Sequence, residues 1–269
     1  MVFFSACSAP LRWFILGHMT KPILYAGDTA LQAAASYLAG IMSHYRISFD
    51  YLASDQKFVM PGKECRLLIL SDYPCRNFVS AQVESIAERV RDGMGLLMIG
   101  GWESFTGEGG DFRGTAIGDV LPVSMLANDD RVNCAQPCLV ERNSTHPIVQ
   151  DLPFDEVSPS IGGFNRVVAK PEGRTILSAR RVAVRRKGKT LAFAPNRKAD
   201  PLLVAGVSGK GRVAAFASDV APHWVGGLVD WGITRITACA DGAHPVEVGN
   251  WYAQFFNQMI RWTAALQPA

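Results

Sequence analysis

The sequence contains no run of eighteen or more apolar residues, so no segment reads as a membrane-spanning helix. It also lacks a strong charge of either sign. Twenty-seven Lys and Arg against 24 Asp and Glu leave a net charge of +3, which calls for neither a nucleic acid nor a membrane surface as partner. The six cysteines, Cys7, Cys65, Cys75, Cys134, Cys138 and Cys239, include no CxxC pair and no matching histidine spacing. A zinc site is therefore not indicated, and reduced thiols in a cytoplasmic protein are the expectation. No internal repeat or low-complexity tract interrupts the chain. The one basic cluster, Arg180, Arg181, Arg185, Arg186, Lys187 and Lys189, alternates with Val182, Val184 and Leu191 and has no interleaved aromatics, as a solvated hairpin would.

What remains is an ordinary globular composition, 48% hydrophobic and 19% charged over 269 residues. Met1 to His18 is apolar but broken by Pro10 and Arg12, unlike a secretory signal. It reads as a dispensable extension ahead of a single domain spanning 19–269. Pro22–Gly27 is a short buried strand, and the apolar spacing of Leu31 to Tyr45 predicts a helix. Ile47–Leu52 and Cys65–Ser71 are the next strands, a helix runs from an N-cap at Ser80 to Asp92-Gly93, and Gly95–Gly100 is a fourth strand. Strand, helix, strand, strand, helix, strand is a βαβ arrangement, hence an α/β fold with a doubly wound, mainly parallel sheet.

Beyond Phe105 comes a glycine-rich loop, Thr106–Gly114, lacking the strand-to-helix setting and Lys of a phosphate cradle. Residues 132–194 give short β-like runs, expected as an antiparallel β extension of the sheet or a small cap over it. Leu202–Ser208 and Arg212–Ser218 form a hairpin across Gly209-Lys-Gly211. Residues 225–248 read as loop, and a helix with the stripe Tyr252, Phe255, Phe256, Met259, Ile260 and Trp262 closes the chain.

Ligand sites in open α/β sheets lie beyond the carboxyl ends of the strands. Asp28, Ser71, Asp72, Gly100, Gly101, Trp102, Glu103, Ser104, Asp219 and His223 all fall there. Asp28 either caps the following helix or faces the cleft, and Asp72 is either a turn residue before Pro74 or part of the site. Trp102 is either a core aromatic or a stacking platform. Glu103 directly follows the Gly-Gly turn and is a binding or acid-base candidate. Ser104 is a nucleophile only if a base reaches it, and Cys75 a reactive thiol only if activated. Asp219 and His223, four residues apart, could form an oriented base, share a metal or make a structural contact.

Several segments together resemble the glutamine amidotransferase-like family within the class I glutamine amidotransferase-like superfamily, which also holds the trehalose-utilisation-type proteins. They are Leu97–Phe105, Gly114-Thr115 with Leu121–Val123, Thr145–Ile148, Gly163–Asn165, Gly209–Val213, Ala215–Trp224 and Trp251-Tyr252 with Phe255-Phe256. The resemblance implies a flavodoxin-like fold. It also implies where a catalytic cysteine would stand, on a strand-to-helix elbow of Gly-x-Cys-x-Gly form. Here that stretch is Gly100-Gly-Trp-Glu-Ser104, so Trp102 occupies the nucleophile's position. The expectation is a cytoplasmic protein without glutaminase activity and without a cofactor. It would bind a small polar or carbohydrate-like molecule, or a partner protein, over Trp102 and Glu103, with a homo-oligomer allowed. A hydrolase or isomerase using an Asp219–His223 base with Glu103 as acid is the alternative, and a scaffolding domain with a vestigial cleft a further one.

Overall fold

A computed structural model describes residues 19–267, so the extension expected at residues 1–18 lies outside the described residues. The first half contains β1 (Ile23–Gly27), α1 (Ala35–His44), β2 (Asp50–Leu52), β3 (Leu67–Ser71), α2 (Ser80–Asp92) and β4 (Gly95–Ile99). The middle contains α3 (Ala116–Val120), β5 (Val123–Met125), β6 (Arg131–Arg142), β7 (Ser160–Asn165), β8 (Val167–Ala169), β9 (Arg174–Lys187) and β10 (Thr190–Pro195). The last part contains β11 (Asp200–Ser208), β12 (Gly211–Phe216), α4 (Pro222–Val229), β13 (Arg235–Ala238), β14 (Val246–Gly249) and α5 (Asn250–Thr263).

The main sheet runs β2-β1-β3-β4-β12-β11-β9-β6-β7, with β10 paired to β9. From β2 to β12 every pairing is parallel. Beyond β12 the pairings are antiparallel, so the β-rich middle extends the sheet rather than capping it. All residues of β1, β3 and β4 are buried, and apart from Ser71 at the end of β3 they are predominantly apolar for that reason.

Two glycines show which helices cover which face. A Cβ on Gly95 would meet the Thr263 carbonyl of α5 at 2.2 Å, and one on Gly211 would meet the Val90 carbonyl of α2 at 2.2 Å. Val213 shares a face with Gly211 and pairs with Leu96, the neighbour of Gly95. Adjacent strand residues point to opposite faces, so α2 and α5 lie on opposite sides of the sheet. The apolar stripe of α5 is buried from Tyr252 to Ile260 and half-buried at Trp262, with Phe255 and Phe256 at centroid distances of 5.5 and 5.6 Å from Phe216 of β12.

Three local expectations are corrected. Ser80 is the first helical residue rather than the cap; the free Val79 amide donates to Gln82 Oε1 at 2.9 Å. Strand β2 begins only at Asp50, because residues 47–49 do not pair. Residues 225–248 are not a loop. Pro222 opens α4, whose Gly227 packs so closely on β7 that a Cβ would lie 2.4 Å from Ser160 Oγ, and β13 and β14 form a separate hairpin. The basic cluster does lie on a hairpin, β9–β10, much of it exposed.

The closeness of α5 to β4 gives a direct test. Gly95→Ala should lower unfolding free energy by about 1–3 kcal/mol through overpacking. Gly226→Ala, with no atom within 4 Å of the added methyl, should be neutral or mildly stabilising in the same denaturant titration.

Candidate functional site

Strands β1, β3, β4 and β12 are neighbours and parallel, so their carboxyl ends share one edge of the sheet. The chain leaves them at Asp28, Asp72, Gly100 and Ser218-Asp219. Backbone bonds tie these exits together. The Asp28 amide donates to Ser71 O at 3.0 Å, and the Gly100 amide donates to Phe216 O at 2.8 Å and Ser218 O at 2.9 Å. Asp28 and Asp72 both turn off their strands with positive φ, 43° and 46°, a conformation aspartate tolerates better than most residues.

This edge gathers three carboxyls. Asp28 Oδ2 accepts from Tyr25 OH at 2.5 Å. Asp72 Oδ1 accepts from the Glu103 amide at 2.8 Å, and the Asp72 amide donates to Ser104 Oγ at 3.0 Å. Asp219 Oδ1 accepts from the Val220 and Ala221 amides at 2.5 and 3.3 Å, at the start of α4. Among the described residues no salt bridge reaches any of the three. Burial comes first in raising each of them to about 7. Mutual repulsion follows, from Asp219 on Asp28, from Asp28 on Asp72 and from Asp72 on Asp219. Near neutral pH the group therefore shares protons, and its members can both donate and accept hydrogen bonds.

The loop after β4 is pinned from below. Gly101, at φ 154°, stands so close to the Asp72 carboxyl that a Cβ would lie 2.1 Å from Oδ1. Fully buried Asn165 accepts from the Gly101 amide at 2.9 Å and donates to Gly101 O at 3.0 Å and Asp130 Oδ1 at 2.7 Å. Asp130, also fully buried, accepts from the Thr106 and Gly107 amides at 3.1 and 3.2 Å. These bonds fix both ends of the turn carrying Trp102.

Trp102 is 46% exposed, which rules out the core reading. The Arg131 guanidinium lies 4.5 Å from its ring centroid, held in turn by Glu108 at 2.8 Å and Asp129 at 2.7 Å. Asp28, Ser54, Asp72, Trp102, Glu103 and Glu108 line a cleft of about 480 Å3. Asp219 lies beneath, 7% exposed.

Other candidates take different places. Glu103 pairs with the exposed Arg76 and is not a free acid. Ser104, 2% exposed, is the acceptor that holds the Asp72 amide. Asp219 and His223 form no hydrogen bond; Asp219 Oδ1 accepts from the amides of its own turn. His223 is exposed, 6.3 Å from the Trp102 ring by centroids. The oriented base expected from their spacing is therefore absent. Cys75 is half-buried, and burial and nearby Asp111 push its thiol up, away from reactivity. No group of three His, Cys, Asp or Glu among the described residues is arranged to hold a metal ion.

Sequence reasoning missed the Tyr25 hydroxyl, Asp130 and any role for Asn165. For Tyr25 the signal was available, since a polar group inside an apolar strand needs a buried partner; Asp130, in the polar run before β6, gave none.

The local backbone also differs from a nucleophile elbow. Trp102 has no positive φ, and no helix follows β4 until α3 at Ala116. Comparison with known proteins nevertheless gives a clear lineage. A family model described as "Putative glutamine amidotransferase" matches residues 61–236. Among solved structures, a cytoplasmic protein of Salmonella typhimurium is 23% identical, with 90% of this chain and 98% of that chain covered and a TM-score of 0.69. A second cytoplasmic protein, from S. typhimurium LT2, is 27% identical over 75% of this chain and 89% of that one, with a TM-score of 0.57. A ThuA-like protein of Parabacteroides merdae shares 11% identity over 93% of both chains, with a TM-score of 0.59. Curated proteins give no match.

The carboxyl group makes a signed prediction. An acid raised to about 7 in the folded state binds protons that the unfolded chain, near 4, has released. Its stabilising contribution is thus complete below pH 4 and lost as pH rises to 7. Half-buried His146, lowered to about 4 by desolvation, acts oppositely up to its unfolded value of 6.5, so a difference measurement is needed. Asp28→Asn should gain stability relative to wild type as pH goes from 5 to 8, read as the gap between their thermal midpoints.

Proposed function

The chain belongs to the family described as "Putative glutamine amidotransferase", within the class I glutamine amidotransferase-like superfamily, and from that premise we propose that it binds a small carbohydrate-like ligand in the strand-end cleft and has no glutaminase activity. The observation that carries this reading is Trp102, exposed where the resemblance would put a nucleophile and lining one cleft with the buried Asp28 and the half-buried Asp72.

A sugar presents apolar C–H faces and a rim of hydroxyls. An exposed indole suits the first, and carboxyls that both donate and accept suit the second. A volume of about 480 Å3 is within the usual range for a small-molecule cleft. Amide hydrolysis by the family's covalent route needs a thiolate and an oriented base. Trp102 supplies neither, Cys75 is pushed the wrong way, and the segment after β4 is a loop rather than an elbow. A hydrolase or isomerase reading would need the Asp219–His223 base and a free Glu103, and the hydrogen bonds of Asp219 and the Arg76 pair of Glu103 favour neither. No helix among the described residues is long and apolar enough to cross a membrane, and two similar proteins are described as cytoplasmic; the same compartment is part of this proposal.

Calorimetric titration of wild-type protein with monosaccharides, disaccharides and polyols should find at least one binder. Trp102→Ala should weaken it about tenfold while leaving the thermal midpoint nearly unchanged. Ammonia release from glutamine should stay at background. Turnover of glutamine, or a panel without a single binder, would contradict the reading.

A further inference from the structure

Cys134 and Cys138 stand on β6 on either side of Ala135-Gln-Pro137. Regular pairing breaks between them: Asn133 opposes Gly163 of β7, yet Cys138 opposes Ile161, only two residues away on that strand. The intervening segment loops out, and pairing with β9 begins at Cys138 opposite Arg181. In an unbroken strand, residues four apart would be roughly 13 Å apart. The loop-out instead lets the two side chains meet, each thiol being the first influence on the other. Cys138 is fully buried, and Cys134 is half-exposed.

The charges around the pair are Arg181 of β9 and Asp200 of β11, which lie 3.6 Å apart. Neighbouring Cys138 comes first in holding the Cys134 thiol down to about 7; Arg181 helps, while burial and Asp200 oppose. Cys134 and burial push Cys138 up in turn. A half-exposed thiol that ionises more readily thus stands beside a buried one that does not, the arrangement of an attacking and a resolving cysteine.

We propose that Cys134 and Cys138 form a reversible intramolecular disulfide on exposure to hydrogen peroxide or an organic hydroperoxide. The Cys134 thiolate attacks one peroxide oxygen, breaking the O–O bond and giving a sulfenic acid and hydroxide. Cys138 then attacks that sulfur as its proton departs; the S–S bond forms, the S–O bond breaks and water leaves. The dithiol loses two electrons and the peroxide gains them. The pair sits on the strand that also carries Arg131, over Trp102, and Asn133, whose Oδ1 accepts from Trp224 Nε1 at 2.9 Å.

Trypsin places both cysteines on one peptide, residues 132–142. After hydrogen peroxide treatment of the full chain and alkylation with iodoacetamide, this peptide should be lighter by two hydrogens than the unalkylated dithiol. It should carry no alkyl group and regain both thiols in dithiothreitol. Its thiols should disappear about tenfold faster than that of the exposed Cys239. In Cys138→Ser, Cys134 should instead be trapped by dimedone as the sulfenic acid. Recovery of both thiols alkylated after peroxide would overturn the proposal. So would a wild-type peptide with sulfinic acid at Cys134 and a free Cys138, or one linked to another molecule.

Discussion

Three aspartate carboxyls meet at the ends of adjacent parallel strands with no described cation to offset them, and the rest of the site follows from how the chain tolerates this. A buried carboxylate without a partner costs several kcal/mol, so the group keeps protons instead of charge. Tyr25 and the backbone amides of Glu103, Val220 and Ala221 donate to what charge remains. Gly101 lets the Asp72 carboxyl approach closer than any side chain would allow. Asn165 and Asp130 then hold the turn that would otherwise spring away from it. A partly protonated, hydrogen-bonding floor results, beneath a single exposed aromatic.

That floor lies in the place where the wider superfamily builds a covalent enzyme. The strand-end geometry persists in β4 and the Gly-Gly exit, but the backbone after it runs as a loop and Trp102 is not strained. Trp102 itself offers neither the strain nor the thiol of a nucleophile. It has instead a flat surface flanked by Arg131 and His223 and backed by groups that exchange protons near neutrality. The proposed recognition of a neutral polar molecule would use all of these features.

Much of the parallel half was legible in the sequence because its signals are local and strong. Apolar five-residue runs ending in Gly-Asp or Ser-Asp mark β1 and β3, and the stripe of α5 marks itself. The convergence of Asp28, Asp72 and Asp219 followed from parallel strands alone. Contacts set by long-range pairing were not legible. Whether Asp219 would turn to His223 or to its own amides depends on the start of α4, hidden behind Gly226-Gly227 in a stretch that reads as loop. Asn165 finds Gly101 only because β7 folds back across the sheet edge, 64 residues away in the chain. The bulge that joins Cys134 to Cys138 is equally silent, since four-residue spacing in a strand ordinarily separates side chains.

Carboxyl 13C NMR titration of the aspartates tests the central claim most directly. The account predicts that Asp28, Asp72 and Asp219, identified by their Asn variants, titrate together near pH 7, and that removing one shifts the other two downward. Three independent titrations near pH 4, unaffected by one another, would contradict it.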